Sequence, residues 1–244
     1  MQTKGNTILI TGGSSGIGWA FAEELYKRGN TVIICGRRAD KLAAIQNQYP
    51  GLTTYTCDVA NAQQRIALAG TILKEHPAIN ILMNNAGVQY AFDFKNEVDM
   101  TKVENEIATN ITAYMHFCSL FTKHLATQQN AAIMNISSGL AFAPLAFMPV
   151  YCATKAAIHS FTMSLRHQLK DVGVKVFEII PPSTDTQLGH ERWSGHAQSH
   201  GGLPVHEFLI EAMLAIENDL LEAPIADAKG LRAKGEAMFP IMNH

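Results

Sequence analysis

The chain predicts an α/β fold, a mostly parallel sheet with helices on both faces. Three observations carry this. Short apolar, β-branched runs alternate with longer stretches of helical periodicity. The runs are apolar throughout rather than at every second residue, as in strands buried on both faces. Strand–helix alternation implies right-handed crossovers, which cover both faces of the sheet.

Six strands are predicted in order: "TILIT" (7–11), "TVIIC" (31–35), "TTYTC" (53–57), "INILMN" (79–84), "AAIMNIS" (131–137) and "VKVFEII" (174–180). After Gly16, residues Ile17, Phe21 and Leu25 recur at i, i+4 and i+8, one apolar stripe for the sheet. Gly29 stands where a helix C-terminus favours positive φ. Residues 99–128 and 151–171 predict two long helices, and 204–222 a third. "APIAD", from Ala223, predicts an edge strand, and the remaining residues a short helix and tail. Residues 183–203 lack periodicity and are rich in Gly, Ser and His, the character of a lid or binding loop. No repeat or linker interrupts residues 1–244, so a single domain is expected, with a substrate or lid segment at about 183–222.

Of the 244 residues, 47% are hydrophobic and 16% charged, which excludes a disordered chain and permits a large core. A net charge of −2 carries no footprint for nucleic acid. No window is apolar enough for a membrane span, and the chain begins almost directly with a strand, so no signal peptide is expected. Cys35, Cys57, Cys118 and Cys152 form no zinc spacing, which favours buried thiols in a reducing cytoplasm. His190, His196, His200 and His206 lack compact ligand spacing; a polar lid is the better reading and no metal is expected. Trp193 is a substrate contact or a lid anchor.

The first strand runs into "TGGSSGIG", a G-x-x-x-G-x-G pattern. Gly12 would allow the tight turn, Gly16 the close approach of a pyrophosphate, and Gly18 the packing of helix on sheet. The helix N-terminus would then meet the phosphates. At the end of the second strand stands "CGRR" where an acidic residue would accept from a ribose 2′-hydroxyl. Guanidinium suits a 2′-phosphate, so NADP(H) is favoured over NAD(H), through Arg37 more than Arg38. Gly12, Arg37, Asp58, Asn85, Ser138 and Pro181 each follow one of the six strands. In an open α/β sheet, ligands bind along that edge.

With these motifs in family order, the chain resembles the classical short-chain dehydrogenases/reductases. The matching pieces are "TGGSSGIG", "CDV" (57–59), "NNAG" (84–87), Asn110 in "ATNITA", "NISS" (135–138), "YCATK" (151–155) and "IIPPSTDT" (179–186). They span about the first 190 residues. Pro181-Pro182 departs from the family's usual Pro-Gly, and the C-terminal strand common in its tetrameric members is weakly marked. The "PPSTDT" segment and the tail ending "FPIMNH" look most like the DltE-like branch. The resemblance implies a Rossmann-type doubly wound sheet of order 3-2-1-4-5-6-7 and a nicotinamide cofactor. It assigns cofactor binding to Gly12, Ser14, Ser15, Gly16, Ile17, Gly18, Arg37, Arg38, Asp58, Val59, Asn85, Ala86, Gly87, Tyr151, Lys155, Pro181, Thr184 and Thr186.

It also implies a catalytic set of Asn110, Ser138, Tyr151 and Lys155, and the chemistry agrees. Tyr151 and Lys155 are i and i+4 on one helix face. A phenol with pKa about 10 needs roughly 4 kcal/mol to serve near pH 7. An ammonium about 4 Å away supplies roughly that at an effective dielectric near 20. Ser138 would hydrogen-bond the carbonyl oxygen as charge grows there, and Asn110 would hold a water linking Lys155 to solvent. Ser137 is the competing hydroxyl, and the thirteen-residue step to Tyr151 favours Ser138. The apolar residues between Ser138 and Tyr151 would wall a pocket for an apolar or amphipathic substrate.

The expected function is an NADP(H)-dependent oxidoreductase acting on a small-molecule carbonyl or secondary alcohol. A non-catalytic NADP(H)-sensing protein on the same fold is the alternative, and the Tyr–Lys pair argues against it. A sugar epimerase or dehydratase of the extended family is disfavoured by the glycine spacing. Ile111, Tyr114, Met115, Cys118, Phe121 and Leu125, with Ile158, Phe161, Met163 and Leu165, predict wide apolar stripes. Together with the family's usual pairing of these helices, they imply a homodimer, with a homotetramer less strongly marked.

Overall fold

The computed structural model describes residues 1–188 and 201–243. Seven parallel strands form one sheet: β1 (Thr7–Thr11), β2 (Thr31–Gly36), β3 (Thr53–Thr56), β4 (Ile81–Asn84), β5 (Ala132–Ile136), β6 (Lys175–Ile180) and β7 (Glu222–Pro224). Their order is β3-β2-β1-β4-β5-β6-β7, as expected. The order reverses at β1, which pairs with both β2 and β4 and opens a crevice at their carboxyl ends.

The strands sort their side chains by the two-residue alternation of the pleat. Ile8 and Ile10 face one side, where α1 (Gly16–Lys27) and α7 (Val205–Glu217) bring Phe21, Leu25, Phe208 and Ile216. Leu9 faces the other side, covered by α3 (Ala62–Glu75), α5 (Ala113–Leu125) and α6 (Pro149–Leu169) through Ile72, Phe117, Phe121 and Leu165. Both layers are dry, which is why the strands read as continuous apolar runs. The remaining helices are α2 (Ala39–Gln48), α4 (Met100–Ile107), α8 (Ala228–Lys234) and the short α9 (Phe239–Met242). Among the described residues no helix is long and apolar enough to cross a membrane.

Three differences from expectation have physical reasons. The helix expected over 99–128 is α4 and α5 joined by a π-helical turn, Ala108–Thr112, with Asn110 inside it. Such an extra residue in a helical turn commonly marks a functional position. The last helix before β7 stops at Glu217 rather than 222, because Asn218 and Asp219 turn the chain, Asp219 with φ 56°. The apolar stripe on α5 is largely consumed within the chain: Tyr114, Cys118, Phe121 and Leu125 are buried, as are Ile158 and Leu165 on α6. The expected dimer therefore loses most of the apolar surface that was to demand it.

The irregular segment is bounded as expected. Its ends meet in a bridge between Thr184 and Leu203, with Asp185 N–H donating to Leu203 O at 2.9 Å. His190, His196, His200 and Trp193 lie outside the described residues; His206 is on α7.

Candidate active site

The glycine turn is built by contact distances. Gly12 has φ +67° and Gly16 φ +56°, conformations that glycine adopts without steric cost. Gly18 needs no special φ. A Cβ there would sit 2.3 Å from Asn85 Nδ2 and 2.5 Å from Gly12 O. Asn85 is thus packed against the start of α1, where its Nδ2 donates to Thr11 O at 2.9 Å and Gly12 O at 3.3 Å. Thr11 Oγ1 in turn accepts from the N–H groups of Asn85 and Ala86. Gly13, which the motif reading passed over, is equally constrained: its Cβ would lie 2.5 Å from Ile34 Cγ2.

This turn opens one end of a cleft of about 410 Å³. Its walls include Gly12, Ser14, Ser15, Gly16, Ile17, Arg37, Arg38, Asp58, Val59, Asn85, Ala86, Gly87, Ser138, Tyr151, Lys155, Pro181, Thr184 and Thr186. Every expected cofactor residue except Gly18 is among them, and Gly18 stands directly behind the wall. The residues present fit a dinucleotide. The turn's glycines leave room where side chains would intrude, and α1 presents its N-terminus through Ser15, whose side chain makes no capping bond.

The two arginines change places relative to expectation. Arg38 Nη2 donates to Ser15 Oγ at 2.6 Å and Nη1 to Gln187 Oε1 at 3.3 Å; Lys41 Nζ reaches the same oxygen at 3.2 Å. Arg38 is therefore gathered with the serines of the turn, while Arg37 is exposed at the wall. Both follow β2, and the side-chain direction is set by where α2 begins, immediately after Arg38.

At the other end, Ser138 ends β5 and caps a single 3₁₀ turn, its Oγ accepting from Leu140 N–H at 3.1 Å. The hydroxyl proton is left free to donate. Ser137 is buried and its Oγ has no hydrogen-bond partner among the described residues. Tyr151 and Lys155 lie in the first turns of α6, Lys155 Nζ 5.6 Å from the Tyr151 ring centroid. Lys155 is 3% exposed and donates to Ile136 O at 2.8 Å. Burial pushes its pKa down to about 8, against the opposing fields of Glu106 and Glu178. Tyr114 is a second phenol near the lysine, with Nζ 5.5 Å from its ring. It is fully buried, its OH donates to Ile136 O at 3.3 Å, and burial drives its pKa well up. It is a poor acid–base candidate.

Asn110 does not line the cleft. Its Oδ1 accepts from Val88 N–H and its Nδ2 donates to Val88 O, both at 2.9 Å, with a further bond to Thr154 Oγ1 at 3.1 Å. Both amide protons are committed, so the side chain clamps the loop after β4, and only an acceptor lone pair is left for a water. The apolar residues between Ser138 and Tyr151 also differ from expectation. Leu140, Leu145 and Met148 pack with Tyr151 and Cys152 in a satellite cluster behind the site, and none of them lines the cleft. The cleft wall is instead Val88, Gln89, Tyr90 and Thr109. Glu106 and Tyr90 escaped the sequence reading, since a lone Glu in a helix reads as a solvated face.

His159, Glu178 and Glu222 bring ligand atoms within 4.8 Å of one another. Their charge is already met by Arg232, whose Nε lies 2.7 Å from Glu222 Oε1, so the cluster reads as an ion-pair network.

Comparison with known proteins agrees with this geometry. The short chain dehydrogenase family profile matches residues 6–197. The uncharacterized oxidoreductase DltE of Bacillus subtilis is 45% identical, over 100% of this chain and 98% of its own. A short-chain dehydrogenase from Sphingobium yanoikuyae, solved with NADPH, superposes with a TM-score of 0.81 at 27% identity, covering 89% of this chain and 86% of that one. A short-chain dehydrogenase/reductase from Burkholderia phymatum, solved with NAD, shares the fold with a TM-score of 0.84 at 21% identity, covering 100% and 97%.

Proposed function

The chain belongs to the short-chain dehydrogenase family of oxidoreductases, and from that premise we propose that it interconverts a small carbonyl compound and its alcohol with NADP(H). The convergence of Ser138, Tyr151 and Lys155 on the cleft that begins at the glycine turn carries the reading. When bound, the nicotinamide supplies or accepts the hydride. Ser138 donates to the substrate oxygen and holds it beside Tyr151. Tyr151 delivers or removes the oxygen-bound proton, and the Lys155 ammonium lowers the cost of its phenolate. Asn110 steadies Val88 at the cleft wall and leaves an acceptor for a water next to the lysine's helix.

A panel of aldehydes and ketones with NADPH, followed by loss of reduced-nicotinamide absorbance, tests the reading. Turnover that needs Ser138 and Tyr151 supports it. Tight NADPH binding with no turnover across the panel points to the sensing alternative.

The preference for the 2′-phosphate rests on Arg38 beside Ser15, with Arg37 and Lys41 adding charge. Charge-assisted bonds of about 1.5–3 kcal/mol correspond to about 10- to 100-fold in affinity. Arg38→Asp is expected to weaken NADPH binding by that factor and leave NADH nearly unchanged, with Arg37→Asp the milder variant. Equal parental affinities for the two nucleotides, by fluorescence titration, would remove the assignment.

The four buried thiols, free of disulfides, suit a cytoplasmic setting. Association as a dimer rests on what stays exposed near the family's usual pairing helices: Ile107 at 41%, Met115 at 38% and Met163 at 50%. Sedimentation at micromolar protein is expected to give about twice the 26.6 kDa chain mass. A monomer throughout that range would show that burial within the chain suffices.

A further inference from the structure

Lys155 carries a charge into a sealed place. It is 3% exposed, and its hydrogen-bond acceptor is a neutral carbonyl, Ile136 O. Removing an ammonium from water costs several kcal/mol unless opposite charge is near. Two carboxylates from different elements are buried with it. Glu106, on α4 one turn before Asn110, is 0% exposed and accepts from Tyr90 N–H at 3.3 Å. Glu178, on β6, is 0% exposed; its Oε2 lies 2.8 Å from His159 Nδ1, while its Oε1 has no hydrogen-bond partner among the described residues.

Neither carboxylate is explained by packing. A glutamine at 106 would accept the same Tyr90 N–H without burying a charge, and an apolar residue at 178 would suit a strand otherwise made of Val, Phe and Ile. Both act on the same ammonium, and both favour its charged form. The other titratable groups around Lys155 are the Tyr114 phenol from α5 and, on α6 itself, Tyr151, Cys152 and His159. Of these, only His159 can add positive charge, and it lies against Glu178.

We propose that Glu106 and Glu178 are positioning residues that supply the buried counter-charge for Lys155 and so keep it an ammonium at working pH. The inference rests on the reading of Lys155 as the partner of Tyr151. Without the counter-charge, Lys155 would lose its proton within the neutral range, and Tyr151 would return to an ordinary phenol. The sign follows directly: removing a negative charge lowers the lysine's pKa, so the alkaline limb of activity moves to lower pH.

The test is made on the full chain with NADPH absent and then present. Lysine side chains are labelled with ¹³C, the Lys155 signal is assigned by its loss in Lys155→Met, and its titration is followed by NMR. Glu106→Gln keeps the acceptor for Tyr90 N–H and removes only the charge. Its Lys155 midpoint is expected to fall by about one pH unit, tenfold in the proton equilibrium. Glu178→Gln is expected to move it in the same direction, and the double variant further. An unchanged midpoint in both single variants overturns the proposal; a neutral carboxylic acid at each position would give that result. If Glu106→Gln does not fold, the Glu178→Gln midpoint decides alone. With a substrate in hand, the alkaline limb of kcat/KM should move with the NMR midpoint. A loss of rate that is uniform in pH would mean a merely structural role and also overturns the idea. Should the parent reduce no carbonyl, the proposed function fails, while the NMR midpoints still report on the counter-charge by themselves.

Discussion

Tyr151→Phe is expected to lower kcat/KM by about 10²–10⁴, the range that general acid–base catalysis contributes, with NADPH affinity within about twofold of the parent. The ring is 6% exposed and packed with Met148 and Cys152, and phenylalanine keeps that packing. Only the transferable proton is removed, and the cofactor end of the cleft at Gly12, Ser15 and Arg38 is untouched. Tyr114→Phe is the matched control. It removes the other phenol near Lys155, whose OH is spent on Ile136 O, and should leave the rate within a few-fold. Paired measurements of kcat/KM and NADPH affinity separate the two tyrosines. Near-parental activity in Tyr151→Phe, or a larger loss in Tyr114→Phe, would move the acid–base role away from Tyr151.

The strands were legible because a sheet covered on both faces writes continuous apolar runs, as in β2 from Val32 to Cys35. β7 was legible only faintly. It has three residues, begins with an ion-paired Glu222 and ends in a proline, so no apolar run announces it. The cofactor edge was legible because each motif directly follows a strand, and parallel strands bring those ends together. Side-chain direction was not. Arg37 and Arg38 are adjacent and chemically alike, and the start of α2 decides which one meets Ser15. The π-helical turn at Asn110 left no mark either, since one extra residue hardly disturbs an apolar periodicity. The stripe on α5 shows the limit of amphipathicity. Its period says that Phe121 and Leu125 need cover, and not whether the sheet or a second chain provides it.

Gly18→Ala should be among the most damaging single-methyl changes, costing about 2–4 kcal/mol of stability and weakening NADPH at least about tenfold. The added Cβ would lie 2.3 Å from Asn85 Nδ2 and 2.5 Å from Gly12 O, distances at which something must move. Asn85 could yield only by giving up its bonds to Thr11 O and Gly12 O, which tie the end of β4 to the glycine turn. Gly12 O could yield only by turning a backbone already at φ +67°, with Ala86 Cα 2.8 Å from where its own Cβ would be. Either adjustment deforms the turn that faces the pyrophosphate, so stability and affinity should fall together. Gly29→Ala separates this from ordinary backbone strain. Gly29 has φ +84° and nothing within 4 Å of its would-be Cβ, so the cost there is conformational alone, about 1–2 kcal/mol, with NADPH binding intact. Urea unfolding and NADPH titration of both variants give the comparison. A Gly18→Ala protein within about 0.5 kcal/mol of the parent and with parental affinity would show that the turn has room, and that Asn85 does not hold it in place.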